Sequence, residues 1–137
     1  MSHILANMPN IDLTRVVYRV KRDHPDWTET QIEEVEAAYR CFLQLCKTFT
    51  ERKIAAPPNV DVVWHMHMLD SVAYMRDCDV YFGHYLHHDP CIGEADIDGA
   101  NDTLVLYEET FGTTPPSIWM GLTTCANPGE GCGSIHA

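Results

Sequence analysis

Residues 61–78 read DVVWHMHMLDSVAYMRDC, a stretch that mixes two histidines, three aspartates and a cysteine with large apolar side chains. A polar or charged group among apolar neighbours costs free energy unless it is hydrogen-bonded, paired with another charge or bound to a metal. The stretch therefore predicts a central helix that carries a site. The residues alone leave the kind of site open.

The sequence before this stretch predicts two amphipathic helices. Residues 11–21 place apolar side chains three and four apart, which indicates a short helix that ends before Pro25. Thr28 and Gln31 form a capping-box pattern at the start of a second helix. The apolar stripe of that helix steps by three and four residues through Ile32, Val35, Tyr39, Phe42, Cys46 and Phe49, and Cys41 lies off the stripe.

Glycine and proline mark the later boundaries. After Pro57 and Pro58, a third helix is expected to start at residue 59 or 61 and to run to about residue 82, where Gly83 stops it. Residues 84–101 are predicted to form a long loop. A fourth helix is expected over residues 102–111, with a stop at residue 112 and a short apolar segment from residue 118 to 122.

These patterns predict an all-α protein, a small bundle of four to five helices with a long histidine-rich loop. Residues 1–122 are expected to form one domain, because 137 residues with 45% hydrophobic composition suffice for one core. Residues 123–137 are rich in glycine, proline and cysteine and poor in apolar side chains, so they are predicted to be a flexible tail that folding does not require.

The composition argues against two classes of partner. A formal net charge of −11 repels the phosphate backbone of nucleic acids. No apolar stretch reaches the roughly 18 residues that would span a membrane, and the N-terminal sequence lacks the pattern of a secretory signal. We therefore expect a cytoplasmic protein whose six cysteines are reduced thiols, core residues or ligands rather than disulfides. The oligomeric state cannot be inferred from the residues.

One face of the third helix suggests a metal site. Asp61 and His65 are four residues apart, a spacing that lets two side chains on a helix bind one ion. With His88, or His87, from the loop, they would form a set of carboxylate and imidazole ligands suited to Zn²⁺ or Fe²⁺. The alternative is structural: Asp61 caps the helix, His65 is a core histidine, and the histidines of residues 84–88 are solvated.

The other face of the third helix carries His67, Ser71, Tyr74 and Cys78. In one straight helix His67 and Cys78 are about 16 Å apart, so they cannot form a nucleophilic pair. Cys78 would need an imidazole from the loop to become a thiolate, namely that of His84, His87 or His88. Trp64 and Tyr74 are interpreted as core residues, whereas the aspartates of this segment, Asp70, Asp77 and Asp79, are interpreted as solvated.

At this point the sequence resembles the glycine-rich domain-containing protein-like family, through the fragments FLQLCK, PPNVDVVWHMHMLDSVAYMRDC, YFG and HHDP between residues 43 and 89. The resemblance implies a helical domain of largely uncharacterised function that is often fused to other domains. The positions that match the family's pattern are Asp61, Trp64, His65, His67, Tyr74, Asp77, Cys78, Gly83, His88 and Asp89.

The leading hypothesis from the sequence is a metal-binding protein, or a small metalloenzyme acting on a small molecule or peptide. Its metal ligands would be Asp61, His65 and His88, and the metal Zn or Fe. His67 or Asp89 would then transfer protons. The alternative is a non-catalytic interaction module in which the motif forms a buried polar network. A third hypothesis is a cysteine-dependent transferase or hydrolase that uses Cys78.

Overall fold

The computed structural model describes residues 10–88, 97–119 and 124–126, and it is mainly helical, as predicted. Within these ranges the chain forms five α-helices, one 3₁₀ turn and two short strands. In chain order they are α1 (Thr14–Asp23), α2 (Glu29–Thr48), β1 (Ile54–Ala56), α3 (Pro58–Leu69), α4 (Ser71–Tyr81), α5 (Ile97–Phe111), the 3₁₀ turn (Ser117–Trp119) and β2 (Thr124–Ala126).

Helix α2 lies at the centre of the core. The predicted capping box at its start is confirmed: the Gln31 amide donates to the Thr28 hydroxyl, and the Gln31 side chain accepts from the Thr28 amide. The predicted stripe is buried through Cys46, and both α3 and α5 pack against α2. The largest fully buried side chains of the described part are Trp64, Trp119, Tyr39, Tyr74 and Phe42.

The predicted single helix over residues 59–82 is wrong, because the chain breaks at Asp70 into α3 and α4. Asp70 adopts a non-helical ψ of 68°, and its N–H donates to the His67 carbonyl three residues back. Its carboxylate accepts two hydrogen bonds from the Arg15 guanidinium of α1, at 2.9 and 3.2 Å. This two-pronged contact is typical of arginine with a carboxylate, and it ties α1 to the break.

Both predicted glycine stops are confirmed. Gly83 has a φ of 79° and its N–H donates to the Cys78 and Asp79 carbonyls, while Gly112 has a φ of 72° after α5. Glycine tolerates this left-handed backbone because it has no Cβ.

The predicted loop over residues 84–101 is shorter than expected. Helix α5 begins at Ile97, so the last five residues of that range are helical. Residues 89–96 of that loop lie outside the described residues.

Two short strands pair across the sequence. Strand β1 is fully buried and pairs with β2 in antiparallel register, Ile54 opposite Ala126 and Ala56 opposite Thr124. Residues 124–126 belong to the segment that was predicted to be a flexible tail. They can form a strand there because the ladder is made by backbone N–H and C=O groups and needs no apolar periodicity. The other residues of the predicted tail lie outside the described residues.

No helix in the described part of the chain is long and apolar enough to cross a membrane.

We expect two matched truncations to separate β2 from the rest of the tail. Removing residues 123–137 takes away the partner of buried β1, and loss of those hydrogen bonds is expected to lower the free energy of unfolding by about 2 kcal/mol, or roughly 6–10 °C in Tm. Removing residues 127–137 keeps the pairing and should leave the Tm almost unchanged. Thermal unfolding followed by circular dichroism checks this, and equal Tm values for the two truncations would contradict a stabilising role of β2.

Candidate functional site

The centre of the site is the buried imidazole of His67, which is 2% exposed and hydrogen-bonded at both nitrogens. Nδ1 lies 2.7 Å from the Tyr39 hydroxyl of α2, and Nε2 lies 2.9 Å from the Asp77 carboxylate of α4. An ionised carboxylate only accepts hydrogen bonds, so the Nε2–H of His67 donates to Asp77. The Tyr39 hydroxyl then donates to Nδ1 of the neutral ring.

Electrostatics supports this neutral arrangement. Burial lowers the pKa of His67, although the hydrogen bond and the charge of Asp77 oppose that shift. Burial also raises the pKa of Tyr39 well above its usual value, so this phenol keeps its proton. These three hydrogen-bonded side chains therefore link α2, α3 and α4, and both hydrogen bonds are formed between protein groups.

A second buried chain of hydrogen bonds runs from α3 to the segment after α4. The Trp64 indole N–H donates to the Tyr74 hydroxyl at 2.9 Å, and that hydroxyl donates to the Leu86 carbonyl at 2.5 Å. The predicted structural roles of Trp64 and Tyr74 fit these contacts. Because the Leu86 backbone is held in this way, the residues that follow it are positioned against α3.

His88 is the residue that this second chain positions against α3, where its side chain is only 5% exposed. Its ring lies on the Trp64 indole, with the ring centroids 4.0 Å apart, and its Nε2 contacts the Asp61 carboxylate. The ring of His65, one turn after Asp61 on α3, meets His88 edge-on with the centroids 5.7 Å apart. His65 is exposed and Asp61 is half-buried, so the group formed by Asp61, His65 and His88, called the outer corner below, opens to solvent.

The structure therefore brings together Asp61 and His88 of the predicted metal set, with His65 beside them. Among the residues that the structure describes, however, no three His, Cys, Asp or Glu side chains are grouped closely enough to hold a metal ion. The alternative role of Asp61 as helix cap is wrong, because Pro57 occupies the N-cap position and Asp61 lies inside the first turn. His87 is exposed and its ring contacts Tyr85.

The predicted catalytic residues lie in different surroundings. His67 uses both ring nitrogens internally, as described above. Cys78 is buried, and burial raises the pKa of its thiol despite hydrogen bonds with the Leu86 backbone and the Tyr74 hydroxyl. A raised pKa disfavours the thiolate that a nucleophile requires. Asp89 lies outside the described residues.

Two residues of the network were not predicted to take part. Asp77 was interpreted as solvated, yet its carboxylate is only 14% exposed and accepts from His67. In one straight helix residues 67 and 77 would be about 15 Å apart, so only the break at Asp70 allows their contact. Tyr39 was assigned to the apolar stripe, and its hydroxyl gave no separate signal. The Asp-Cys pair within the family pattern was the one indication for Asp77.

The fold and the site define a class of protein: a small helical domain in which most of the motif residues form hydrogen bonds with one another. The chain belongs to the UCP032817-like family, whose model matches residues 10–105. It is 34% identical over 104 residues to glycine-rich domain-containing protein 2 of Arabidopsis thaliana, covering 69% of this chain and 13% of that protein. It is also 34% identical over 109 residues to glycine-rich domain-containing protein 1 of the same plant, covering 70% and 13%.

These relatives confirm the resemblance drawn from the motif. The chain spans only about an eighth of the length of the curated relatives it matches. No solved structure matches the chain.

A pair of histidine substitutions tests the division between the buried and the exposed motif histidine. We expect His67→Ala to lower the free energy of unfolding by about 3 kcal/mol or more, because Tyr39 and Asp77 each lose a buried partner at about 1–3 kcal/mol. The matched control His65→Ala removes an exposed ring and should change stability by no more than about 0.5 kcal/mol. Urea unfolding measures both, and similar losses for the two variants would refute the assignment.

Proposed function

We propose that this domain is a non-catalytic protein-interaction module. In this proposal, the buried network around His67 fixes the arrangement of α2, α3 and α4, and the outer face of α4 contacts another protein surface. The observation that carries the proposal is an exposed apolar face on a helix whose opposite face is locked into the core. Internal hydrogen bonds at both nitrogens of His67 support a structural role for the motif.

The exposed face lies next to the network. Large apolar side chains are exposed at seven positions of the described residues, and four of these fall within residues 69–80. Soluble proteins expose single apolar side chains routinely, but a group of them in one short stretch is typical of a contact surface. Val72, Met75 and Val80 lie on α4, and Leu69 is the last residue of α3.

The lengths of the relatives support the same proposal. In each Arabidopsis protein the matching region covers 13% of the chain, so most of the polypeptide lies outside it. A rigid helical domain with one apolar face can hold other parts of such a protein, or a partner of it, without any chemistry of its own. The three described cysteines with free thiols are Cys41, Cys46 and Cys78, which fits a protein of the reducing cytoplasm.

Site-specific photo-crosslinking tests the proposed contact surface in cells. A benzophenone amino acid at Val72 or Val80 is expected to form a covalent adduct, because both side chains would lie in the contact. The matched control carries the same group at Glu33, an exposed residue of α2, and should give none. Adducts at neither α4 position, or equal adducts at the control, would contradict the proposal.

A second candidate function is binding of Zn or Fe at the outer corner. It is favoured by one observation: His88 and Asp61 already direct a nitrogen and an oxygen at each other, with His65 beside them at a solvent-open position. A rotation of the exposed His65 side chain would supply the third ligand, and open positions on the ion would accept a small molecule or peptide. Catalysis at this corner would make the protein a metalloenzyme.

Zinc titration of the metal-free protein tests this second candidate. If the corner binds the ion, His88→Ala should weaken the affinity by more than about tenfold, since even loss of an outer-shell partner costs about 10–100-fold. The control His84→Ala removes an exposed histidine from the same segment and should leave the affinity unchanged. Isothermal titration calorimetry measures both variants, and equal affinities would rule out His88 as a ligand.

A further inference from the structure

The outer face of α4 has an ordered pattern of charge as well as apolar side chains. At 100° per residue, Met75, Asp79, Arg76 and Val80 follow one another within an arc of about 140°, with Val72 one turn before them. Val72, Met75 and Val80 are 79%, 62% and 80% exposed. Arg76 and Asp79 are exposed as well, so each turn of this face presents an apolar side chain next to a charged one.

This pattern is complementary to itself when two copies of α4 lie antiparallel about a two-fold axis. With the axis midway between residues 77 and 78, Arg76 of one copy faces Asp79 of the other near the centre of the face, and this contact occurs twice because the interface is isologous. Met75 lies beside Met75 of the other copy on one flank, and Val80 lies beside Val80 on the other flank. Opposite charges therefore meet in this register, with apolar side chains on both sides of the ion pairs.

We propose that the outer face of α4 is a dimer interface that pairs with the same face of a second copy of this chain. The proposal rests on the proposed function and names its partner. The argument for a second copy is the order of the charges. Arg76 and Asp79 lie at positions that the two-fold axis brings together, so each can form an ion pair with the opposite charge of an identical helix. The present contact of Arg76 with Asp77 is 3.5 Å long, and the Arg76 side chain is 64% exposed, so this side chain can exchange the contact for one with a partner.

The size of the interface sets the expected strength. Helix α4 has 11 residues and is about 16 Å long, so two such helices bury less area than the roughly 800 Å² per partner of a standard interface. Each copy also carries a net charge of −11. The dimer is therefore weak, and it assembles as the protein concentration rises through the micromolar range.

Sedimentation velocity on the purified chain over a range of concentrations tests the proposal. The wild type should shift from monomer to dimer, and Arg76→Glu or Asp79→Arg should each weaken dimerisation by about tenfold or more, because each creates two like-charge pairs. The double variant Arg76→Glu with Asp79→Arg restores both ion pairs with reversed sign and should dimerise like the wild type. Met75→Ser should weaken the dimer without any change of charge.

The control Glu33→Lys changes the charge by the same amount at an exposed position of α2 and should leave dimerisation unchanged. A chain that stays monomeric up to about 1 mM overturns the proposal, as do single variants that dimerise like the wild type or a double variant that fails to recover. Recovery of the double variant shows that neither substitution unfolds α4. If the chain is monomeric but photo-crosslinks at Val72 to a protein of another mass, the dimer fails while the proposed function stands.

Discussion

The arrangement of the three central helices depends on the hydrogen bonds of one buried imidazole. His67 on α3 joins the Tyr39 hydroxyl of α2 to the Asp77 carboxylate of α4, and the imidazole itself is 2% exposed. In a low-dielectric interior such bonds are strong when all partners are present and costly when one is missing. They therefore select the one packing of α2, α3 and α4 that satisfies all three side chains.

The break at Asp70 follows from the same requirement. A continuous helix would carry Asp77 away from His67, whereas the break turns α4 back so that its inner face returns to the imidazole. Arg15 of α1 holds the turn from outside through the Asp70 carboxylate. One consequence is functional: with its inner face committed to the network, α4 has a fixed outer face, and a fixed face can serve as a contact surface. The second chain of bonds, from Trp64 through Tyr74, positions His88 at the corner beside Asp61.

Local features of the fold were predictable and long-range ones were not. The capping box at Thr28, the apolar stripe of α2 and the stop at Gly83 each depend on residues within a few positions of one another, and all three were correct. The divergence of His65 and His67 onto opposite faces also followed from helical spacing. The break at Asp70 gave no glycine or proline signal. The pairing of β1 with β2 joins segments about 70 residues apart and uses only backbone groups, so periodicity could not reveal it.

The candidate site was predicted only in part: His67 was singled out, whereas Tyr39 was assigned to the apolar stripe and Asp77 to the solvated surface. The motif residues were recognised from their chemistry, and the family pattern added Asp77, yet the helix break decides which of them meet. The central claim is that His67 is a neutral structural partner of Asp77 and Tyr39. Two-dimensional ¹H–¹⁵N NMR of the imidazole nitrogens tests it most directly. The account predicts the Nε2–H tautomer with a slowly exchanging proton at pH 7; an Nδ1–H tautomer, a cationic ring or a rapidly exchanging ring would contradict it.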